Sequence, residues 1–171
     1  MPANIEIKAR VRDFEALSAR AAELSDTAVE VIPQVDTFFV TERGRLKLRE
    51  LAPDRAQLIY YERPNRDGPK RSDYSLLETR DPNGLRELLA RALGIRGTVE
   101  KVRHLYIIGQ TRVHLDKVMN LGDFMELEVV LASGQSDEDG HRLAEQLLEE
   151  LGVGQQDLMD GAYMDLLERP Q

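Results

Sequence analysis

Several short stretches of this chain place charge on every second residue. Arg45-x-Lys47-x-Arg49 and Lys101-x-Arg103 are wholly basic, while Glu6 and Lys8 share one phase early in the chain and Glu126-x-Glu128 share one late in it. A period of two is the strand period, so each set projects from one face of a strand. Solvated sheet faces normally mix signs, and like charges at this spacing repel. A wall of Lys and Arg removed from water is costly unless an anion enters. Converging carboxylates are costly unless a cation sits among them. A polyphosphate carrying Mg²⁺ or Mn²⁺ meets both demands, because these hard ions bridge protein carboxylates and phosphate oxygens.

The elements that must position these charges follow from periodicity. Alternation predicts eight strands, at Asn4–Val11, Asp36–Val40, Arg45–Leu51, Ala56–Arg63, Ser72–Thr79, Thr98–Ile108, Thr111–Lys117 and Asp123–Leu131. Glu42-Arg43-Gly44, Pro53-Asp54 and Gly109-Gln110 are turn signals between them, the last a two-residue hairpin with Gly first, as a type II′ turn prefers. Connections this short require antiparallel neighbours. Helical spacing appears at Phe14, Leu17, Ala21 and Leu24 after Asp13, and at Leu85, Leu88, Leu89 and Ala92 between Asp81-Pro82 and Gly94. It recurs at Leu143, Leu147 and Leu151, after Asp137 and before Gly152, and over a shorter stretch at Asp157–Leu167. Asn65–Pro69 and Ser133–Ser136 read as linkers.

Closing eight antiparallel strands into a barrel removes exposed edges and makes the first and last strands neighbours, which brings Glu6 to Glu126 and Glu128. Two arrangements suit the alternation. In the ordinary one the polar phases face solvent over an apolar core. In the inverted one the amphipathic helices cover an apolar exterior, and the charged phases line the lumen. The uniform sign of the basic rows favours the second. The expected fold is therefore α+β, an eight-stranded antiparallel closed β-barrel forming a tunnel with flanking helices, built as a single domain over residues 1–171.

Composition narrows the class. With 171 residues the chain is long enough for one domain with a real core. A net charge of −8 argues against a nucleic-acid partner, although local positive charge still allows an anion. No apolar run approaches a membrane span. The N-terminus lacks the build of a signal peptide, and the absence of Cys fits a reducing compartment, so a cytoplasmic protein without a membrane partner is expected.

In order along the chain, Asn4-Ile5-Glu6-Ile7-Lys8, Arg45-Leu46-Lys47-Leu48-Arg49, Lys101-Val102-Arg103, and Asp116-Lys117-Val118 … Leu121-Gly122-Asp123-Phe124-Met125-Glu126-Leu127-Glu128 form a pattern. It resembles the CYTH superfamily, also called triphosphate tunnel metalloenzymes, which includes class IV adenylyl cyclases, thiamine triphosphatases and inorganic triphosphatases. The resemblance covers nearly the whole chain and implies a tunnel that binds a triphosphate end-on. It implies Glu6, Glu126 and Glu128 as ligands of Mg²⁺ or Mn²⁺ and as catalytic groups together with Asp116. Lys8, Lys47, Arg49, Lys101, Arg103 and Arg112 would line the phosphate path, with Lys70 added from the Asp67–Ser72 region. The family motif begins E-x-E-x-K, whereas Asn4 stands here in place of the first Glu, giving up one negative charge and weakening the case for a second metal.

The implied activity is metal-dependent hydrolysis of inorganic triphosphate or of an organic triphosphate such as ATP or thiamine triphosphate. The alternatives are class IV adenylyl cyclase chemistry, converting ATP to cyclic AMP and pyrophosphate, and a non-catalytic polyphosphate- or nucleotide-binding module. The resemblance also leaves room for a homodimer formed through a barrel face. His114 shares the phase of Arg112 and Asp116, Tyr60, Tyr61 and Tyr74 are candidates to flank an organic group, and Tyr163 is placed to fold over a tunnel mouth.

Overall fold

The computed structural model describes residues 3–62, 64 and 68–168. Nine strands follow the alternating stretches: β1 (Ala3–Arg10), β2 (Glu30–Phe39), β3 (Arg45–Ala52), β4 (Arg55–Glu62), β5 (Lys70–Thr79), β6 (Ile95–Ile108), β7 (Thr111–Val118), β8 (Gly122–Val130) and the two-residue β9 (Leu158–Met159). They pair in the order β5-β4-β3-β2-β6-β7-β8-β1-β9, and a further pairing of β5 with β1 closes the first eight into a ring. All of these pairings are antiparallel. One edge of β1 is shared: residues Ala3–Glu6 pair with β5, and Lys8 and Ala9 pair with β9.

The strands match the expected ones with shifted ends. β2 begins at Glu30, six residues before the alternation becomes readable, because Pro33 interrupts the strand signal. Proline is tolerated there because residues 30–34 pair with β6 alone and not with β3. β5 starts at Lys70, which settles the phase of that lysine, and Arg63 and most of the Asn65–Pro69 linker lie outside the described residues. Gly109 has φ 57 and joins Ile108 to Thr111 in a two-residue turn.

Four helices accompany the barrel. α1 (Phe14–Leu24) is capped by Asp13, whose side chain accepts from the Ala16 amide, and α2 (Pro82–Leu93) is capped likewise by Asp81 and ends on Gly94. α3 (Asp137–Leu151) starts on a Ser136–Asp139 capping box rather than on Asp137. The fourth expected helix is shorter than its periodicity suggested. A 3-10 turn at Gln155–Asp157 and β9 intervene, so α4 spans only Tyr163–Glu168.

Helix packing establishes which barrel face is apolar. Ile7, Ala9, Val113, Leu115, Met125 and Leu127 point outward and are buried beneath Leu17 and Ala21 of α1 and Leu147, Leu148 and Leu151 of α3. Phe39, Leu48 and Ala56 are covered by Leu85 and Leu89 of α2. Each Val, Ile, Leu, Met or Phe side chain among them contributes about 1.5–3 kcal/mol when fully buried, so the helices hold the apolar phase outside and leave the charged phase to the lumen. The ordinary barrel with its polar faces in water is excluded, since the Arg103 and Lys101 side chains are only 6% and 2% exposed. No helix among the described residues is long and apolar enough to cross a membrane.

Candidate active site

The lumen holds a cavity of about 290 Å³. One end is closed by α4: Tyr163, Met164 and Leu166 pack on Phe38, Val99, Val118 and Phe124, lumen-facing residues near the ends of four strands. Gly97 leaves room for the Met164 thioether, whose sulfur a Cβ there would meet at 2.5 Å. Arg96 and Arg45 anchor the same helix from outside through Asp165, at 2.7 and 2.8 Å.

Above this floor two buried carboxylates gather the basic rows. Asp36, 1% exposed, accepts two hydrogen bonds from Arg49 at 2.9 Å each and one from Lys101 at 2.9 Å, and Lys47 lies 3.5 Å away. Asp116, fully buried, accepts two from Arg103 at 2.8 Å and one from the Tyr163 hydroxyl at 2.8 Å. Burial alone would raise both carboxyls. Arg49, Lys101 and Lys47 around Asp36, and Arg103 beside Asp116, overcome that effect and hold both well below the usual carboxylate range. The lysines show the opposite strain. Burial, reinforced by Arg49 and only partly offset by Asp36, lowers the Lys47 ammonium to about 7. Burial lowers Lys101 to about 8 against the pull of Asp36. The cations are thus crowded beyond what the two carboxylates neutralise. Tyr163 stands between Lys8, 4.0 Å from its ring centre, and Lys101 at 5.5 Å, and burial followed by Asp116 raises its hydroxyl well above the ordinary value.

The opposite wall carries the remaining acids. Glu6 is in register with Glu128 across β1 and β8, and Lys8 with Glu126. Lys8 lies 3.6 Å from Glu126 and donates to the Gly161 carbonyl at 3.0 Å. Glu128 accepts from the Asn4 amide and lies 3.5 Å from Arg112 and 3.7 Å from His114. Burial raises the Glu128 carboxyl; Arg112 opposes the shift and Glu126 adds to it. His114 is held well below its ordinary range by burial and by Arg103, so its ring is neutral. Among the described residues no three acidic, His or Cys groups stand close enough together to form a ready metal cluster. The donor set nonetheless suits a hard divalent ion. Glu6 and Glu128 face one another, Glu126 follows on the same strand, and the Asn4 amide oxygen is buried without a hydrogen-bond partner.

Each residue singled out in the sequence can now be placed. Glu6, Glu126, Glu128, Lys8, Lys47, Arg49, Lys101, Arg103 and Arg112 all line the cavity. Lys70 shares their phase and lies opposite Glu6 in the β1–β5 register, fully buried. Asp116 is fully buried behind the lining, where it accepts from Arg103 and from the Tyr163 hydroxyl. Tyr61 and Tyr74 line the cavity, whereas Tyr60 packs outside against Gly44. His104 packs edge-on against Phe14, 5.2 Å between ring centres. Sequence reasoning missed Asp36 and Gln34. The Gln34-x-Asp36-x-Phe38 alternation carried the signal, but Pro33 obscured it.

Comparison with known proteins agrees with this geometry. The chain is 25% identical to the adenylate cyclase CyaB of Aeromonas hydrophila over 175 residues, covering 96% of this chain and 88% of the relative. The PH1012 protein of Pyrococcus horikoshii superposes with a TM-score of 0.84 at 25% identity, covering 95% of this chain and 98% of that one. HpAC1 of Hippeastrum, a cyclase candidate with a dominant triphosphatase activity, shares the fold with a TM-score of 0.67 at 16% identity, covering 95% of this chain and 91% of that one. With the CYTH domain matching residues 2–163, the chain belongs to the CYTH domain family.

Proposed function

We propose that the protein is a divalent-metal-dependent enzyme that binds a triphosphate-bearing substrate in the barrel lumen and hydrolyses it. One observation carries this reading: the cavity is lined by seven basic and four acidic side chains, and burial, reinforced by neighbouring arginines, depresses Lys47 and Lys101. Such a lumen is stabilised by a polyanion that replaces lost hydration with direct ion pairing. Phosphoryl transfer asks a protein mainly for positioning and charge neutralisation.

Each part of the chain has a task in that scheme. Lys47, Arg49, Lys101 and Arg103, held in place by Asp36 and Asp116, bind and orient the phosphate chain. Lys8 and Arg112 reach it from the acidic wall. Glu6, Glu126 and Glu128 would hold Mg²⁺ or Mn²⁺, which supplies charge neutralisation at the phosphate oxygens when bound. Tyr163 and the apolar floor close one end and limit how deeply the chain enters.

A second reading, cyclisation of ATP with loss of pyrophosphate, is favoured by the relative named as an adenylate cyclase. A third, a non-catalytic binding module, is favoured by the Asn4 amide, which occupies one oxygen of Glu128. Phosphorus NMR of the protein with Mg²⁺ or Mn²⁺, given inorganic triphosphate, ATP and thiamine triphosphate separately, separates the three. Orthophosphate and a diphosphate product, absent with the Glu126→Ala, Glu128→Ala double variant, are expected. Cyclic AMP with pyrophosphate would replace hydrolysis by cyclisation, and line broadening without turnover would leave a binding module.

A further inference from the structure

Asp36 has more cations around it than its two oxygens can serve. Arg49 donates to both oxygens at 2.9 Å, and Lys101 donates to one of them at 2.9 Å. Lys47 is left 3.5 Å away, beyond the roughly 2.7–3.2 Å of an ordinary N–H···O bond. The other lysines turned towards the lumen are held more closely. Lys8 donates to the Gly161 carbonyl at 3.0 Å, Lys101 has its bond to Asp36, and Lys70 is fully buried opposite Glu6. The Lys47 side chain is 15% exposed, against 3% for Lys8 and 2% for Lys101. It is therefore the lumen lysine that a molecule entering the cavity meets most readily.

Its surroundings come from five strands. Arg49 follows on the same face of β3, Asp36 and Phe38 face it from β2, Tyr61 from β4, Lys101 from β6 and Glu126 from β8. Burial, Arg49 and Lys101 lower the Lys47 ammonium, Asp36 and Glu126 oppose them, and the balance stands at about 7. The rings of Phe38 and Tyr61 lie with their centres 5.7 and 5.3 Å from Nζ, apolar surfaces that would flank a bound planar group. A desolvated amine set beside other cations is a nucleophile towards carbonyl carbon. Arg49, Lys101 and Arg103 line the same cavity and suit the anionic end of a molecule that carries such a carbonyl. Phosphate binding alone does not call for this amine, since an arginine would keep its charge when buried.

We propose that Lys47 is a covalent attachment site for a phosphorylated aldehyde, which enters the lumen and forms an imine with Nζ. The nitrogen lone pair attacks the carbonyl carbon, a C–N bond forms, and both protons of the neutral amine leave with the carbonyl oxygen as water. No oxidant or reductant takes part, and water reverses the step. The adduct fills the cavity, so aldehyde and polyphosphate compete for it. This reactivity goes beyond the hydrolytic reading and requires no metal.

The test is labelling with pyridoxal 5′-phosphate. The imine is followed by its absorbance, trapped with borohydride and located by peptide mass mapping among the five lysines of the chain. At about pH 7.5 Lys47 is expected to react at least roughly tenfold faster than the exposed Lys117, because an ordinary lysine, near 10.4, is almost wholly charged there. Its rate should level off above about pH 7 to 8. Pyridoxal, which lacks the phosphate, should label Lys47 roughly tenfold more slowly. Inorganic triphosphate should protect Lys47 and leave Lys117 unaffected. Lys47→Arg keeps the charge and removes the nucleophile, so it should abolish the lumen label. Circular dichroism verifies its folding, and mapping of the wild type decides the question if that variant fails to fold. Earlier labelling of Lys117, Lys101 or the α-amino group, or equal rates for pyridoxal and its phosphate at Lys47, would overturn the attachment site. Labelling of Lys47 that inorganic triphosphate does not slow would uphold the attachment site and overturn the polyphosphate reading of the lumen, so the two fail separately.

Discussion

The Tyr163 hydroxyl donates to the same Asp116 oxygen that accepts from Arg103, each at 2.8 Å, so the C-terminal helix and the cavity-lining arginine share one buried carboxylate. The floor of the tunnel and the wall that would meet substrate are thereby one structural unit. Tyr163→Phe removes one donor and leaves the paired Arg103 in place. The variant is expected to lose about 1–3 kcal/mol of stability in urea unfolding. It should also lower affinity for inorganic triphosphate, because Arg103 is then held by Asp116 without the second tether.

Asp36→Asn has a larger consequence. Three cations, Lys47, Arg49 and Lys101, lose their buried counter-ion. Breaking one side of a buried ionic cluster costs about 3–5 kcal/mol. The expected signature is a lowered melting temperature that inorganic triphosphate raises by more degrees than it raises the wild type, because the polyanion replaces the missing carboxylate. Equal stabilisation of both proteins would show that phosphate does not reach these side chains.

Proton uptake should accompany binding. Lys47 near 7 and Lys101 near 8 are partly neutral in the unliganded protein at mildly alkaline pH, and a polyanion favours their charged forms. Affinity is therefore expected to fall as pH rises through about 7 to 8, and calorimetry in buffers of different ionisation heat should register protons taken up. The linked stability effect runs the other way. Both lysines lie below their ordinary value of 10.5, so between about 7 and 10.5 the unfolded chain binds more protons than the folded one. Their contribution to the free protein's stability rises with pH across that window, and a saturating polyanion should flatten the rise.

Asn4→Glu restores a carboxylate beside Glu128 while removing the amide donor that Glu128 now accepts. Without metal the like charges should destabilise the fold by about 1–2 kcal/mol. Mn²⁺ titration followed by electron paramagnetic resonance should show affinity rising by at least roughly tenfold over wild type, about 1.4 kcal/mol. A variant that binds Mn²⁺ no better would place the metal away from this end of β1.

Much of this architecture is legible in the chain because it depends on local rules. Alternation assigns Lys47, Arg49, Lys101, Arg103, Glu126 and Glu128 to one face of each strand, and Asp13, Asp81 and Gly94 mark helix ends through neighbouring backbone groups alone. The end of the chain was less legible. The periodicity at Asp157–Leu167 suggests one helix, but pairing of Leu158–Met159 with β1 and φ 80 at Gly161 interrupt it, leaving only α4. Asp36 was hidden by Pro33, whose tolerance depends on a partner strand that no local window contains. Most of all, the choice of counter-ions is tertiary. Asp36 meets Lys101 from 65 positions away, and Tyr163 meets Asp116 from 47, only because the ring closes and α4 folds under it. Spacing along the chain determines which side chains share a face. Closure and burial decide which charges must neutralise one another, because the cost of an unpaired charge depends on the water that the whole fold removes.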